Sequence, residues 1–169
     1  ISLLLGYPLA LFIARQSPGW RTVLLFLVLI PFCTNFLVRI YAWQIILSNN
    51  GLINSALGAL GLPTLTLLNT EGATLLGLVY GELPFMVLPI YAAIDRFDFT
   101  LLEAAADLGA SRRQAFLRVM LPLTMPGVTA GSVLVFIPTL GQFVVSELLG
   151  GAKVDYLGNL IQRLFLRSN

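Results

Sequence analysis

Residues 100–123 read TLLEAAADLGASRRQAFLRVMLPL and stand between stretches that are almost wholly apolar. Eight of the chain's eighteen formal charges, Asp95, Arg96, Asp98, Glu103, Asp107, Arg112, Arg113 and Arg118, fall in this stretch or just before it. Held at the centre of a bilayer at about 3 kcal/mol apiece they would cost on the order of 20 kcal/mol, more than the intervening leucines offset. The segment from 95 to 120 is therefore expected outside the hydrocarbon, which makes the apolar runs on either side separate membrane spans. Thr100 with Glu103, and Ser111 with Gln114, are two capping-box spacings that start helices. Gly109 lies between them, where a left-handed residue would close the first helix, and Pro122 marks where the second meets the next span. Two short helices set at an angle are predicted.

The rest of the composition agrees with a membrane protein. Of 169 residues 57% are hydrophobic and 11% charged, with a mean hydropathy of +0.89, whereas charged residues make up about a quarter of ordinary soluble domains. The apolar runs cover 22–47, 73–94 and 121–146, each long enough to cross even with Pro31, Pro84, Pro89, Pro126 and Pro138 inside them. The first run, 1–14, covers only about 21 Å of a hydrocarbon core near 30 Å, and is read as a cut span. Gly77, Gly81, Gly127 and Gly131 are expected to let helices approach closely. Predicted is an all-α polytopic helix bundle, one transmembrane domain over 1–169, with a polar two-helix loop at 95–120.

Basic residues orient it. Arg15, Arg21, Arg96, Arg112, Arg113 and Arg118 flank the first and third connections, while 48–72 carries none, so the polar loop is cytoplasmic and 48–72 faces out. Lys153, Arg163 and Arg167 then lie outside and oppose the rule weakly. The half-apolar outer loop is expected on the outer membrane surface or against other helices.

Several chemistries are excluded. The chain has no histidine and one cysteine, Cys33, so His-based acid–base work, an internal disulfide and a Cys or His metal cluster are ruled out. No phosphate-binding loop is present, and a net charge of +2 gives no footprint for nucleic acid. Glu82 falls about nine residues into its span, roughly 14 Å deep and near the midplane, where an ionisable group is a functional candidate. Tyr41, Trp43 and Tyr91 suit interfacial belts, although their rings also attract ammonium groups. Arg39 is expected to snorkel toward the outer face, with Glu147 as a partner. From the residues alone, the polar loop is equally an amphipathic connector on lipid headgroups or a docking knob for another protein.

The spacing Glu103, Ala104, Ala105, then Gly109, then Val119, Leu121 and Pro122 resembles the EAA signature of ABC-transporter permease subunits, EAAx3Gx9IxLP, with Val for Ile. The phrases LLGYPLALFIAR, FLVRIYAWQIIL, LPFMVLPIYAAID and GSVLVFIPTLGQFVVSELLGG are similar to the spermidine/putrescine type of permease. The resemblance implies the type I ABC importer permease fold, of about six spans, so that the first and last helices would be missing here. It also implies a bacterial inner-membrane, non-catalytic subunit with no cofactor of its own. The implied partners are a cytoplasmic ATPase dimer that holds ATP and magnesium, a second similar permease, an external solute-binding protein and the bilayer. Residues Glu103, Ala104, Ala105, Gly109, Leu121 and Pro122 would dock the ATPase; Glu82, Tyr41 and Trp43 would face the path of a polyamine. The alternatives are another small solute, or a secondary transporter driven by an ion gradient, which offers no reason for the capped loop.

Overall fold

The computed structural model describes residues 1–150, so the outer basic residues Lys153, Arg163 and Arg167 lie outside the described residues. No strand occurs among the described residues. In chain order the helices are α1 (Ser2–Ala14), α2 (Pro18–Leu29) with a 3₁₀ turn (Ile30–Cys33), α3 (Phe36–Leu47), α4 (Leu52–Ala59) and α5 (Glu71–Asp95). There follow α6 (Thr100–Asp107), α7 (Arg112–Ala115) with a π-helical turn (Phe116–Met120), α8 (Leu121–Gly141) and α9 (Phe143–Gly150). By length and composition two helices are able to cross a membrane, α5 and the continuous helix Arg112–Gly141, or three if the broken pair Pro18–Cys33 and Phe36–Ala59 counts as one span.

Two of the apolar runs are thus broken rather than single helices. The run 22–47 divides at Thr34, whose φ is −90° and ψ 151°, and at Asn35, also extended. Pro31 is the second residue of the 3₁₀ turn before the break, the Thr34 hydroxyl donates to Pro31 O at 2.7 Å, and Asn35 Oδ1 accepts from Leu37 N at 2.9 Å to start α3. A fresh N-cap makes the interruption a helix end rather than a proline kink. The run 121–146 ends its long helix at Gly141, and Gln142 separates α8 from α9.

The contacts divide the chain into two compact units. The first holds Ile1–Val28 and Leu83–Phe136. On α1, Tyr7, Ala10, Ile13 and Ala14 share one face; on α5, Val87, Ile90 and Ile94 do the same, at spacings of three and four. These residues, with Met86, Met120 and Val128, form its core. Ile13, Val87, Ile90, Ile94 and Met120 are fully buried, each a gain of roughly 1.5–3 kcal/mol over exposure. Glycines on α1 and α8 set the approach to α5: a Cβ on Gly6 would lie 2.7 Å from Met86 Cγ, and one on Gly127 2.6 Å from Pro89 O. Gly131 faces Met86 in the same way, at 3.1 Å.

The second unit holds Leu29–Glu82 and the described residues from Ile137 on. Its core joins Ile40 and Leu47 of α3, Ala73 and Leu78 of α5, and Val145 and Leu149 of α9. Gly77 lies under Leu149 and Val145, as close approach requires, whereas a Cβ on Gly81 would meet nothing within 4 Å. Gly81 is therefore not a packing glycine within this chain, contrary to its expected role. Gln44 Nε2 donates to Leu148 O at 2.6 Å and Asn69 N to Leu149 O at 2.9 Å, tying α9 to α3 and to the end of the 48–72 loop. That loop is itself built: Asn54, 3% exposed, donates to Leu65 O at 2.9 Å and Ser48 O at 3.2 Å and accepts from Leu65 N at 2.8 Å. Its apolar residues Leu67 and Leu68 pack against the core of this unit. Asn54→Ala is expected to lower stability by about 2 kcal/mol, since the Leu65 amide and two carbonyls lose one shared partner. The thermal unfolding midpoint in detergent measures it.

Candidate functional site

The polar segment folds from its own short-range hydrogen bonds. At its start, Asp98 Oδ1 accepts from the Thr100 hydroxyl at 2.8 Å and from Thr100 N at 3.0 Å. These bonds hold the exposed Asp98 carboxyl below its ordinary range, the hydroxyl contributing most. The capping box predicted at Thr100 and Glu103 does not form: Thr100 is already the first residue of α6, its N-cap Phe99 makes no side-chain cap bond, and the Thr100 hydroxyl is spent on Asp98. Asp98 takes that place because its short carboxylate reaches two residues on without a helical turn between. Glu103 is left exposed in the first turn, near the positive end of the helix dipole.

At the other end α6 closes as predicted. Gly109 has φ +84°, the left-handed region that L side chains rarely adopt. Ala110 N donates to Ala105 O at 3.0 Å and Gly109 N to Ala106 O at 2.9 Å, the paired bonds of a Schellman closure. One letter of the spacing, Gly109, is thereby explained, since it supplies the backbone that turns. Ser111 then caps α7 in a full capping box, Ser111 Oγ accepting from Gln114 N at 3.3 Å and Gln114 Oε1 from Ser111 N at 2.9 Å.

The second short helix is not separate. From Arg112 the chain runs as one helix to Gly141, and Pro122 does not interrupt it. The π turn supplies the reason: Leu121 N bonds to Phe116 O, five residues back, and the local widening accommodates a proline that lacks the donor and crowds the carbonyl four residues before it. The joint is held by Tyr7, whose hydroxyl meets Thr124 Oγ1 at 2.8 Å while its ring stands edge-on to Phe116 at 5.6 Å. Thr124 itself donates to Met120 O at 2.9 Å. Glu103, Ala104, Gly109 and Pro122 are exposed, and Ala105 and Leu121 half-buried. A cleft of about 440 Å³ runs between α6, α7 and Arg15 at the end of α1. Arg21, from the first connection, forms an ion pair with Asp95 at the end of α5 and donates to Ala14 O at 2.8 Å. The first and third connections therefore lie at one end of this unit, which supports placing both on one side of the membrane.

Of the remaining candidates, Tyr91 lies in the first unit and Glu82, Trp43, Tyr41 and Arg39 in the second. Glu82 is 2% exposed, and Gln142 Nε2 donates to its Oε1 at 2.5 Å. Trp43 turns toward α5 and stands edge-on to Tyr80 at 5.4 Å. Tyr41, two residues earlier and so on another side of α3, is 52% exposed; the chain does not bring it together with Trp43. Tyr91 donates to Asp95 Oδ1 at 3.4 Å. Arg39 does not take Glu147 as its partner: its guanidinium carbon lies 4.5 Å over the Phe32 ring and 6.0 Å from that of Phe36, and Glu147 is exposed. Aromatic faces stabilise the cation without a counter-charge. Sequence reasoning missed Gln142, Asp98 and the Tyr7–Thr124 pair. Gln142 alone left a signal, as an amide inside an apolar run directly after a glycine. No group of acidic, Cys or His side chains suited to a metal ion occurs among the described residues.

Residues 6–169 match the family of binding-protein-dependent transport system inner membrane components. The chain is 52% identical over 171 residues to the spermidine/putrescine transport system permease protein PotB of Haemophilus influenzae, covering 99% of this chain and 59% of that protein. It is 49% identical over 166 residues to PotB of Escherichia coli, covering 97% and 60%. To the inner membrane ABC transporter permease protein YdcU of Escherichia coli it is 38% identical over 174 residues, covering 95% and 55%. The chain thus spans less than two thirds of the length of these relatives.

Proposed function

Since the chain belongs to the family of binding-protein-dependent transport system inner membrane components, whose members are transport subunits and not catalysts, we propose that it is a membrane-spanning permease subunit of an ATP-driven polyamine importer. The observation that carries this is α6: a helix closed at Gly109 presents Glu103 and Ala104 to solvent beside the foot of a 30-residue span. The thin alanine surface admits close approach by a partner, and the long helix beyond it carries displacement into the bilayer. The partner is a cytoplasmic ATPase dimer that holds ATP and magnesium and grips Glu103, Ala104, Ala105 and Gly109, with Leu121 and Pro122 at the root of the span. A second, similar permease completes the path, and an external solute-binding protein delivers the solute. ATP-driven closure of the ATPase then shifts the path from one exposed side to the other.

The names of the relatives at 49–52% identity support spermidine and putrescine as solutes. Chemically, a chain of positive charges suits Glu82, a carboxylate buried in a span; Trp43, which stands against Tyr80 two residues before Glu82, and Tyr41, exposed on another side of α3, would offer ring faces elsewhere along the path. Uptake by vesicles holding this chain, its partner permease and the ATPase, fed by the binding protein, is expected to require internal or external ATP on the ATPase side. Uptake driven by an ion gradient without ATP would overturn the reading. Glu82→Gln is expected to raise the half-saturation concentration for putrescine by about tenfold or more, the loss of one charge-assisted contact; uptake kinetics decide it.

A further inference from the structure

The bond between Glu82 and Gln142 leaves two buried acceptors over. Gln142 spends a donor on Glu82 Oε1, so its own Oε1 remains, together with Glu82 Oε2. Both atoms are buried and neither has a hydrogen-bond partner. Buried acceptors without donors are costly and therefore rare, and here two belong to one hydrogen-bonded pair joined across 60 residues of chain. Gln142 also sits at the break between α8 and α9, directly after the C-terminal end of α8. The negative end of that helix dipole thus lies within one side chain's reach of Glu82. A carboxylate oxygen, an amide oxygen and a helix C-terminus at a broken span make an environment for a cation that carries N–H donors.

We propose that Glu82 Oε2 and Gln142 Oε1 together bind one primary ammonium group of the transported solute. The proposal rests on the polyamine reading and adds Gln142 to it as the residue that sets specificity. Gln142 acts twice, orienting Glu82 through its NH2 and accepting an N–H through its carbonyl. A primary ammonium donates to both oxygens at once, whereas a quaternary ammonium of equal charge donates to neither. The site therefore reads the number of N–H groups and not the charge alone.

The test pairs putrescine with its permethylated bis-quaternary analogue, measuring equilibrium binding to the assembled permease–ATPase complex in detergent without the external binding protein. Wild type is expected to hold putrescine about tenfold or more tighter than the analogue. Gln142→Leu and Glu82→Gln should each weaken putrescine by a similar factor, and the double variant by less than the product of the two. Equal binding of the two probes by wild type would overturn the proposal, and needs no variant to fold. Weakening by Glu82→Gln with none by Gln142→Leu would also overturn it, while leaving Glu82 in the path. Putrescine uptake by the complete reconstituted transporter is run alongside. Uptake without measurable binding rejects this site alone; absence of uptake rejects the polyamine reading beneath it.

Discussion

Gly127→Leu is expected to prevent the first unit from folding. The Cβ that any other residue adds at this position falls 2.6 Å from Pro89 O, 2.6 Å from Ala93 Cβ and 3.1 Å from Ile90 Cα. Two of these three atoms are backbone inside the last third of α5, so no rotamer change relieves the overlap, and α8 must move away bodily. Inserting extra volume into a packed interior costs about 1–3 kcal/mol when side chains are able to yield, and a backbone clash removes that escape. A separation of α8 from α5 also loosens Val128 from the core it shares with Ile90 and pulls Thr124 from Tyr7, so that the loss exceeds about 3 kcal/mol, a large share of a typical domain's stability. The expected result is loss of the monodisperse species in detergent and of co-purifying ATPase. Gly81→Ala is the matched control: its Cβ meets nothing within 4 Å of this chain, and alanine is the better helix former, by about 1 kcal/mol. Loss of the monodisperse species by Gly81→Ala as well would show that glycine content, and not the contact with α5, is what matters.

Gly109→Val is expected to leave insertion intact and to cut ATP-driven uptake by about tenfold or more. At φ +84° a side chain costs roughly 1–2 kcal/mol, and a β-branched one more. Helix α6 has eight residues, too few to persist in water on propensity alone. It depends on Asp98 at one end and on the bonds from Gly109 and Ala110 at the other. When valine forces the turn out of the left-handed region, Ala105 and Ala106 lose their donors and the surface bearing Glu103 and Ala104 loses its shape. ATP hydrolysis by the complex should continue while uptake falls, the signature of lost coupling. Gly109→Asn should recover part of the uptake, because asparagine tolerates this conformation better than other side chains. Glu103→Lys should uncouple equally while the Asp98 and Gly109 ends of α6 still close, at a cost to the helix of no more than about 1 kcal/mol from its dipole. Full uptake by the valine variant would remove α6 from the coupling path. The Asp98 cap adds a pH sign: its carboxyl is held below the ordinary range, so this contribution is present above the unfolded-state pKa and is lost as pH falls through the folded one.

Composition and short-range spacing determined a good deal of this protein before any tertiary contact was considered. The apolar runs required helices in lipid, because a backbone without water must bond to itself, and the charges of 95–118 expelled their segment from it. Gly109 and the Ser111–Gln114 box were legible for the same reason: their partners lie within five residues, inside the window that a local pattern samples. Only the tertiary structure decided the rest. It chose Asp98 over Thr100 as the cap, broke 22–47 at Thr34 and Asn35, and carried the helix through Pro122 by a π turn. It also separated Gly127, pressed against α5, from Gly81, which faces open space, although both are glycines in apolar helices. Most of all it set Gln142 beside Glu82. Which donor meets a buried carboxylate is settled by how α5, α8 and α9 pack, and no pattern along the chain records a partner 60 residues away.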